Sequence, residues 1–239
     1  MTMTLLEAFD LVVYAELLDH RIKGAAAALA DRPELARETS WLASARQCLA
    51  QELDGMNPPQ SDNDLDRFLH LPELAAVKQE RGRVLQAAAI DAVEALHGSI
   101  REAAGERSPL LEALYANLKI VPLRRANRDD FNVFCTEFAR RLDASYPKRM
   151  LTDDRYASAA SALADLRRAF DNWHRVMSFA PMSEEDTRAL EGELAAVATR
   201  LELACRQAVL LAEAALLAAP DLRDSSGIFD KRRRRPLSI

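Results

Sequence analysis

The chain has 239 residues, a formal net charge of -5 and an apolar share of 49%, enough length to bury a substantial core as one large domain or two small ones. Only seven residues are glycine, against a usual ~7% of a chain, and with few aromatics and abundant alanine and leucine the composition is that of an all-α protein. No P-loop, glycine-rich dinucleotide turn, CxxC pair or nucleophile elbow occurs, which sets aside most common nucleotide enzymes, and the acidic body carries no recognition-helix pattern for double-stranded DNA.

Nine prolines, from Pro33 to Pro220, fall where apolar periodicity stops or starts. Proline inside a helix loses a hydrogen bond and clashes with the preceding turn, so these residues mark element edges. Between them the spacing predicts seven helices, over roughly 4–30, 33–54, 72–104, 109–118, 128–146, 154–179 and 184–219. Ser108-Pro109 supplies a cap and a first-turn proline for the fourth. Ser183-Glu184-Glu185-Asp186 opens the seventh as a near capping box with acids facing the positive end of the helix dipole.

Glu73-Leu74-Ala75-Ala76-Val77 recurs as Glu193-Leu194-Ala195-Ala196-Val197, 120 residues later. Phe9 and Phe131, Leu42-Ala43 and Leu163-Ala164, and Pro59 and Pro181 repeat at shifts of 122, 121 and 122. The expected fold class is therefore an all-α helical bundle of two tandem three-helix repeats, 1–105 and 128–219, joined by a connector with a short helix over 106–127. Two three-helix units in a chain of this length resemble the layout of the phosphate-uptake regulator family. The resemblance is one of layout: Glu80-Arg81-Gly82-Arg83 and Arg200-Leu201-Glu202-Leu203 stand where that family carries its acidic metal-binding motif.

The seventh helix has the strongest periodicity. Leu190, Leu194, Val197, Leu201, Ala204, Ala208, Leu211, Ala215 and Ala218 follow spacings of four and three, a coiled-coil type of seam. Leu203, Val209, Leu210, Leu216 and Leu217 add apolar surface on neighbouring faces, so the helix needs cover on several sides. A central place in the bundle provides that, and a homodimer through 184–219 is a second solution. The apolar stretch Ala208–Ala219 is shorter than the ~20 residues of a membrane span and contains Glu213.

The start, Met-Thr-Met-Thr-Leu-Leu-Glu, reads as no export signal. Cys48, Cys135 and Cys205 are odd in number and sit at apolar helical positions, as small core residues in a reducing cytoplasm do. From Pro220 the charge is +3, leaving -8 on residues 1–219. The run Lys231, Arg232, Arg233, Arg234 and Arg235 is too dense in like charge to pack, so 220–239 is expected to be a disordered basic tail able to contact an anionic partner.

Three constellations carry possible chemistry. His20-Arg21-Ile22-Lys23-Gly24, followed by Ala25-Ala26-Ala27-Ala28-Leu29, resembles the motif of histidine phosphotransfer domains. That resemblance implies His20 as phosphoryl acceptor, Lys23 as charge partner and Gly24 as the clearance position for a response regulator. Helical periodicity, however, lines His20 up with Leu6, Phe9 and Val13 near the centre of the apolar face, half-buried beside Glu16. Next, Glu94-x-x-His97 and Asp171-x-x-His174 each set two potential ligands on one helical face. With Glu16 and Glu137 they are compatible with a paired-metal carboxylate site of a helical bundle. Finally, the doublets Arg124-Arg125, Arg140-Arg141 and Arg167-Arg168 offer an anion patch, although the acids beside them favour ordinary surface pairing.

The sequence thus leads to a cytoplasmic, non-enzymatic helical scaffold or adaptor whose partner is another protein, with no cofactor implied. A phosphorelay protein using His20 and a di-metal bundle protein are the alternatives.

Overall fold

The computed structural model describes residues 3–54, 65–116, 118, 120–177 and 182–230. Among them are eleven α-helices, three short 3-10 turns and no strand. The helices are α1 (Leu5–Ala30), α2 (Ala36–Leu53), α3 (Leu65–Phe68), α4 (Ala75–Ala104), α5 (Pro109–Tyr115) and α6 (Ile120–Leu123), then α7 (Arg128–Leu142), α8 (Ser145–Met150), α9 (Ala160–Met177), α10 (Glu184–Leu216) and α11 (Pro220–Ser225).

The long elements lie close to where proline and caps set them. Thr4 closes α1 with a capping box, its hydroxyl accepting from the Glu7 amide at 3.2 Å while its own amide donates to the Glu7 carboxylate at 2.9 Å. Ser108 accepts from the Leu110 amide with Pro109 in the first turn, and Ser183 accepts from the Asp186 amide at 3.1 Å. The helix expected over 128–146 stops at Leu142 and restarts as α8. Ala144 turns extended, and Pro147 then sits in a first turn that needs no amide donor from it.

Two compact units make up the fold: residues up to Ala75 with those from Met182 onward, and residues Ala76–Pro181. This grouping differs from the tandem one expected at 1–105 and 128–219. In the first unit α1 and α2 take α10, not α4, as their third helix. The reason lies in the faces: Leu11, Ala15, Leu18, Ile22 and Leu29 of α1 and Leu42, Ala45 and Leu49 of α2 are buried together with an alanine-rich stripe of α10. On α10 the seam residues Leu194, Val197, Leu201, Ala204, Ala208 and Ala215 are buried. Leu190 and Leu211 are half-buried and Ala218 is exposed. Asp19 on α1 accepts from Arg46 on α2 at 3.0 Å, and Glu52 on α2 accepts from Arg200 on α10 at 2.7 Å.

The expectation of disorder over 220–239 is corrected for its first half. Pro220 starts α11, and beyond it Ile228 is 1% exposed. The Arg21 guanidinium donates to the Gly227 carbonyl, and Arg32 reaches Asp221 with two nitrogens at 2.6 and 3.2 Å. Gly227 turns the chain there at φ 67°, a backbone state that favours glycine. One buried isoleucine, Arg21 of α1 and Arg32 just beyond its end thus dock a segment that composition alone reads as a tail.

The second unit has an aromatic core. Phe131, Phe134 and Phe138 of α7 meet Phe170 and Trp173 of α9, with Phe131 and Trp173 edge to face at 4.7 Å between ring centroids. The Trp173 indole nitrogen donates to the Asn132 side-chain oxygen at 2.6 Å, which satisfies the one polar atom of a ring that is 2% exposed. Helix α4 is tied in by Gln86, which donates to the Leu123 and Ala126 carbonyls at 2.7 and 3.1 Å, and by the Tyr115 hydroxyl donating to the Val93 carbonyl at 3.0 Å. Burial pushes the Tyr115 hydroxyl pKa up. Gly82 lets α4 approach α9, since a Cβ there would lie 2.8 Å from the Met177 sulfur.

Candidate functional site

The outer surface of α1 holds the first constellation. His20 is exposed, contrary to its expected place at the centre of the apolar face. Helix α1 is apolar on two sides: the side carrying Ala15, Leu18, Ile22 and Leu29 is buried along its length, whereas on the other side burial reaches Phe9, leaves Leu6 and Val13 half-covered and stops short of His20. At 100° per residue the first side lies well away from His20. Lys23, Gly24 and Ala27 follow at three, four and seven residues and are also exposed, so all four share one solvent-facing patch. A Cβ on Gly24 would meet nothing within 4 Å. The arrangement presents an accessible imidazole, an ammonium one turn on and a low surface beside them. Chemically it suits a group that accepts a phosphoryl and a macromolecule that must come close to deliver it.

The carboxylate-histidine pairs fare differently. Glu94 is exposed and accepts from Arg124 at 3.1 Å, and Arg124 also reaches Asp91 at 2.8 Å. His97 is half-buried, its ring edge to face with Tyr115 at 4.9 Å. Asp171 is exposed on the rim of an open surface depression of about 490 Å³ whose lining includes Leu163, Arg167, Arg168 and Arg175. His174 is half-buried on the same helix. Among the described residues no three His, Cys, Asp or Glu side chains converge in a group that could hold a metal ion, so the structure does not bring Glu94, His97, Asp171 and His174 into one site.

The arginine doublets pair locally. Arg140 and Arg141 both donate to Glu137, at 2.8 and 3.3 Å, and hold its carboxyl down at about 2. Arg167 pairs with Asp143 at 3.4 Å and Arg168 with Asp165 at 3.3 Å. The depression on α9 is therefore edged by guanidinium groups that already have acidic or amide partners, Arg175 donating to Asn172 at 2.6 Å. Lys231 to Arg235 lie outside the described residues.

Sequence reasoning grouped several apolar residues of α10 on neighbouring faces without separating the buried from the bare ones. Leu203, Leu210 and Leu217 are 61%, 66% and 64% exposed. They stand seven residues apart, so one outward stripe carries three bare leucines. Their period of seven was the available signal. The stronger seam two residues away masked it. Of the three thiols, Cys135 and Cys205 are buried and Cys48 is half-buried, and burial pushes Cys135 up to about 12. No helix among the described residues is long and apolar enough to cross a membrane.

Comparison with known proteins adds no assignment: no protein family, curated protein or solved structure matches the chain.

Proposed function

We propose that the protein is a non-enzymatic, cytoplasmic scaffold or adaptor that works through protein-protein contact, with the outer face of α10 as its contact surface. One observation carries the reading: Leu203, Leu210 and Leu217 are bare and in line on a helix whose opposite face is committed to the core. Single exposed leucines are ordinary, whereas a periodic stripe of them on a long helix is the form in which helices present an anchor row to a partner. The basic run Lys231–Arg235 is a secondary contact in this reading, for an anionic partner surface. A photoreactive amino acid at position 210, introduced in the host cell, is expected to form protein adducts, while one at the exposed position Ser40 is not. Equal yields at both positions, or none at 210, refute the assignment.

A second reading is favoured by the exposure of His20 with Lys23, Gly24 and Ala27 on one face. In it the protein is a phosphorelay intermediate and His20 carries the phosphoryl group. Treatment with phosphoramidate is then expected to label His20 ahead of His70, His97 and His174, and His20→Gln to abolish transfer to a receiver domain. Label distributed evenly over the four histidines counts against it.

A further inference from the structure

Exposed positions on α10 extend well beyond the three leucines. Counting outward from Leu203 toward the N-terminus gives Thr199, Ala196, Gly192 and Ala189, and toward the C-terminus Gln207, Leu210, Ala214 and Leu217, all exposed. In both directions the steps are four, three, four and three. The exposed seam is graded about Leu203: Thr199, Ala196, Gly192 and Ala189 leave the N-terminal half low, while Leu210 and Leu217 stand up from the C-terminal half.

We propose that this face binds the same face of a second copy of the chain, antiparallel, with the two-fold axis passing beside Leu203. The inference rests on α10 being a contact surface, and it names the partner. Two-fold symmetry of this kind sets Leu210 against Ala196 of the second copy and Leu217 against its Ala189, with Ala214 opposite Gly192 and Leu203 meeting its own mate. Leu210 and Leu217 of each copy then enter the space left by Ala196 and Ala189 of the other. A parallel pair would stack leucine on leucine at one end, leave Ala189, Gly192 and Ala196 each facing its own mate at the other, and align the two helix dipoles unfavourably.

Charge agrees with the same register. Glu202 and Arg206 form an ion pair at 2.6 Å on one flank of the seam. They lie one residue before and three after Leu203, so an antiparallel two-fold brings each Arg206 beside the Glu202 of the other copy. From Ala189 to Leu217 the seam runs about 42 Å at 1.5 Å per residue. A contact about 10 Å wide along it covers roughly 400 Å² per chain, half of the ~800 Å² per partner of a stable complex. The dimer is accordingly reversible and dependent on concentration.

Sedimentation velocity of the full chain from about 1 to about 500 µM is expected to show monomer passing to dimer, with Leu210→Glu raising the dissociation constant at least about tenfold and leaving the melting temperature unchanged. In a Cys48→Ser background, Leu203→Cys is expected to give a disulfide-linked dimer on mild oxidation. Leu217→Cys alone should not link, whereas Leu217→Cys together with Ala189→Cys should. Self-linking of Leu217→Cys overturns the antiparallel register, and a monomer at every concentration overturns the second copy as partner. In that last case, adducts to other proteins from position 210 leave the contact reading standing, and their absence removes both.

Discussion

Leu201 and Leu203 are two residues apart on α10 and face opposite ways, one 0% and the other 61% exposed. Replacing each by alanine tests the orientation of the helix directly. Leu201→Ala removes three buried carbons, about 2.4 kcal/mol at ~0.8 kcal/mol per methylene. Its neighbours one turn away are Val197, Ala198, Ala204 and Cys205, all small, so little side chain is available to refill the space and the cavity adds about 1 kcal/mol more. The expected loss is about 3 kcal/mol, a fall of roughly 10 °C in the melting temperature of a unit of this size. Leu203→Ala removes the same carbons from a site that is mostly hydrated already, and alanine is the better helix former, so its loss stays below about 1 kcal/mol. Both variants are to be measured by calorimetry and urea titration at a concentration low enough to keep the chain monomeric. Equal losses, or a larger one at Leu203, would refute the packing of α1 and α2 against the side of α10 described above.

Ile228→Ala is expected to release the docked segment after α11 without unfolding the bundle. With a loss of about 2 kcal/mol in local stability, the amides of Ser226, Ile228 and Asp230, which are hydrogen-bonded within the segment, should exchange roughly thirtyfold faster, as read by hydrogen exchange. Thiol reagents should modify Cys48 first and leave the buried Cys135 and Cys205 unreacted until the chain unfolds; prompt reaction of Cys135 contradicts its burial. Arg140 and Arg141 hold Glu137 down to about 2 from the usual 4.5, so its pairing supports the fold at every pH above 4.5 and is lost as the pH falls toward about 2. A melting difference between the parent and Glu137→Gln should therefore be full at neutral pH and vanish with acidification over that window, with the carboxyl carbon shift as the direct check.

Much of the helical layout was written into the order of residues, because caps and proline act locally. Thr4 with Glu7, Ser108 with Pro109 and Ser183 with Asp186 each place a helix start through atoms no more than three residues apart. A strong period also survives folding where only one face is apolar: of the seam that spacing predicts in α9, Leu166, Phe170 and Trp173 are buried, Leu163 and Met177 at its ends are half-buried, and Asp171 is exposed on the flank. The same arithmetic failed at His20 because α1 is apolar on two sides. Leu6, Phe9 and Val13 mark one apolar face and Ala15, Leu18 and Ile22 another, and periodicity has no means of telling that the first is covered only as far as Phe9 while the second is covered along the helix.

Partner choice among helices belonged to the tertiary structure. The pentapeptide Glu-Leu-Ala-Ala-Val leads into α4 at 73–77 and recurs within α10 at 193–197, and a heptad pattern states only that a helix has a face to bury. Which helices cover it depends on how the alanine-rich stripe of α10 fits Leu18, Ile22, Leu42 and Leu49, and on Gly82 admitting Met177 against α4. The docking of Ile228 likewise depends on Arg21 and Arg32, roughly two hundred residues away in sequence. Local chemistry therefore fixed where helices begin, end and carry apolar residues. Complementarity between distant surfaces decided what each apolar face touches, and so which leucines of α10 were left facing outward.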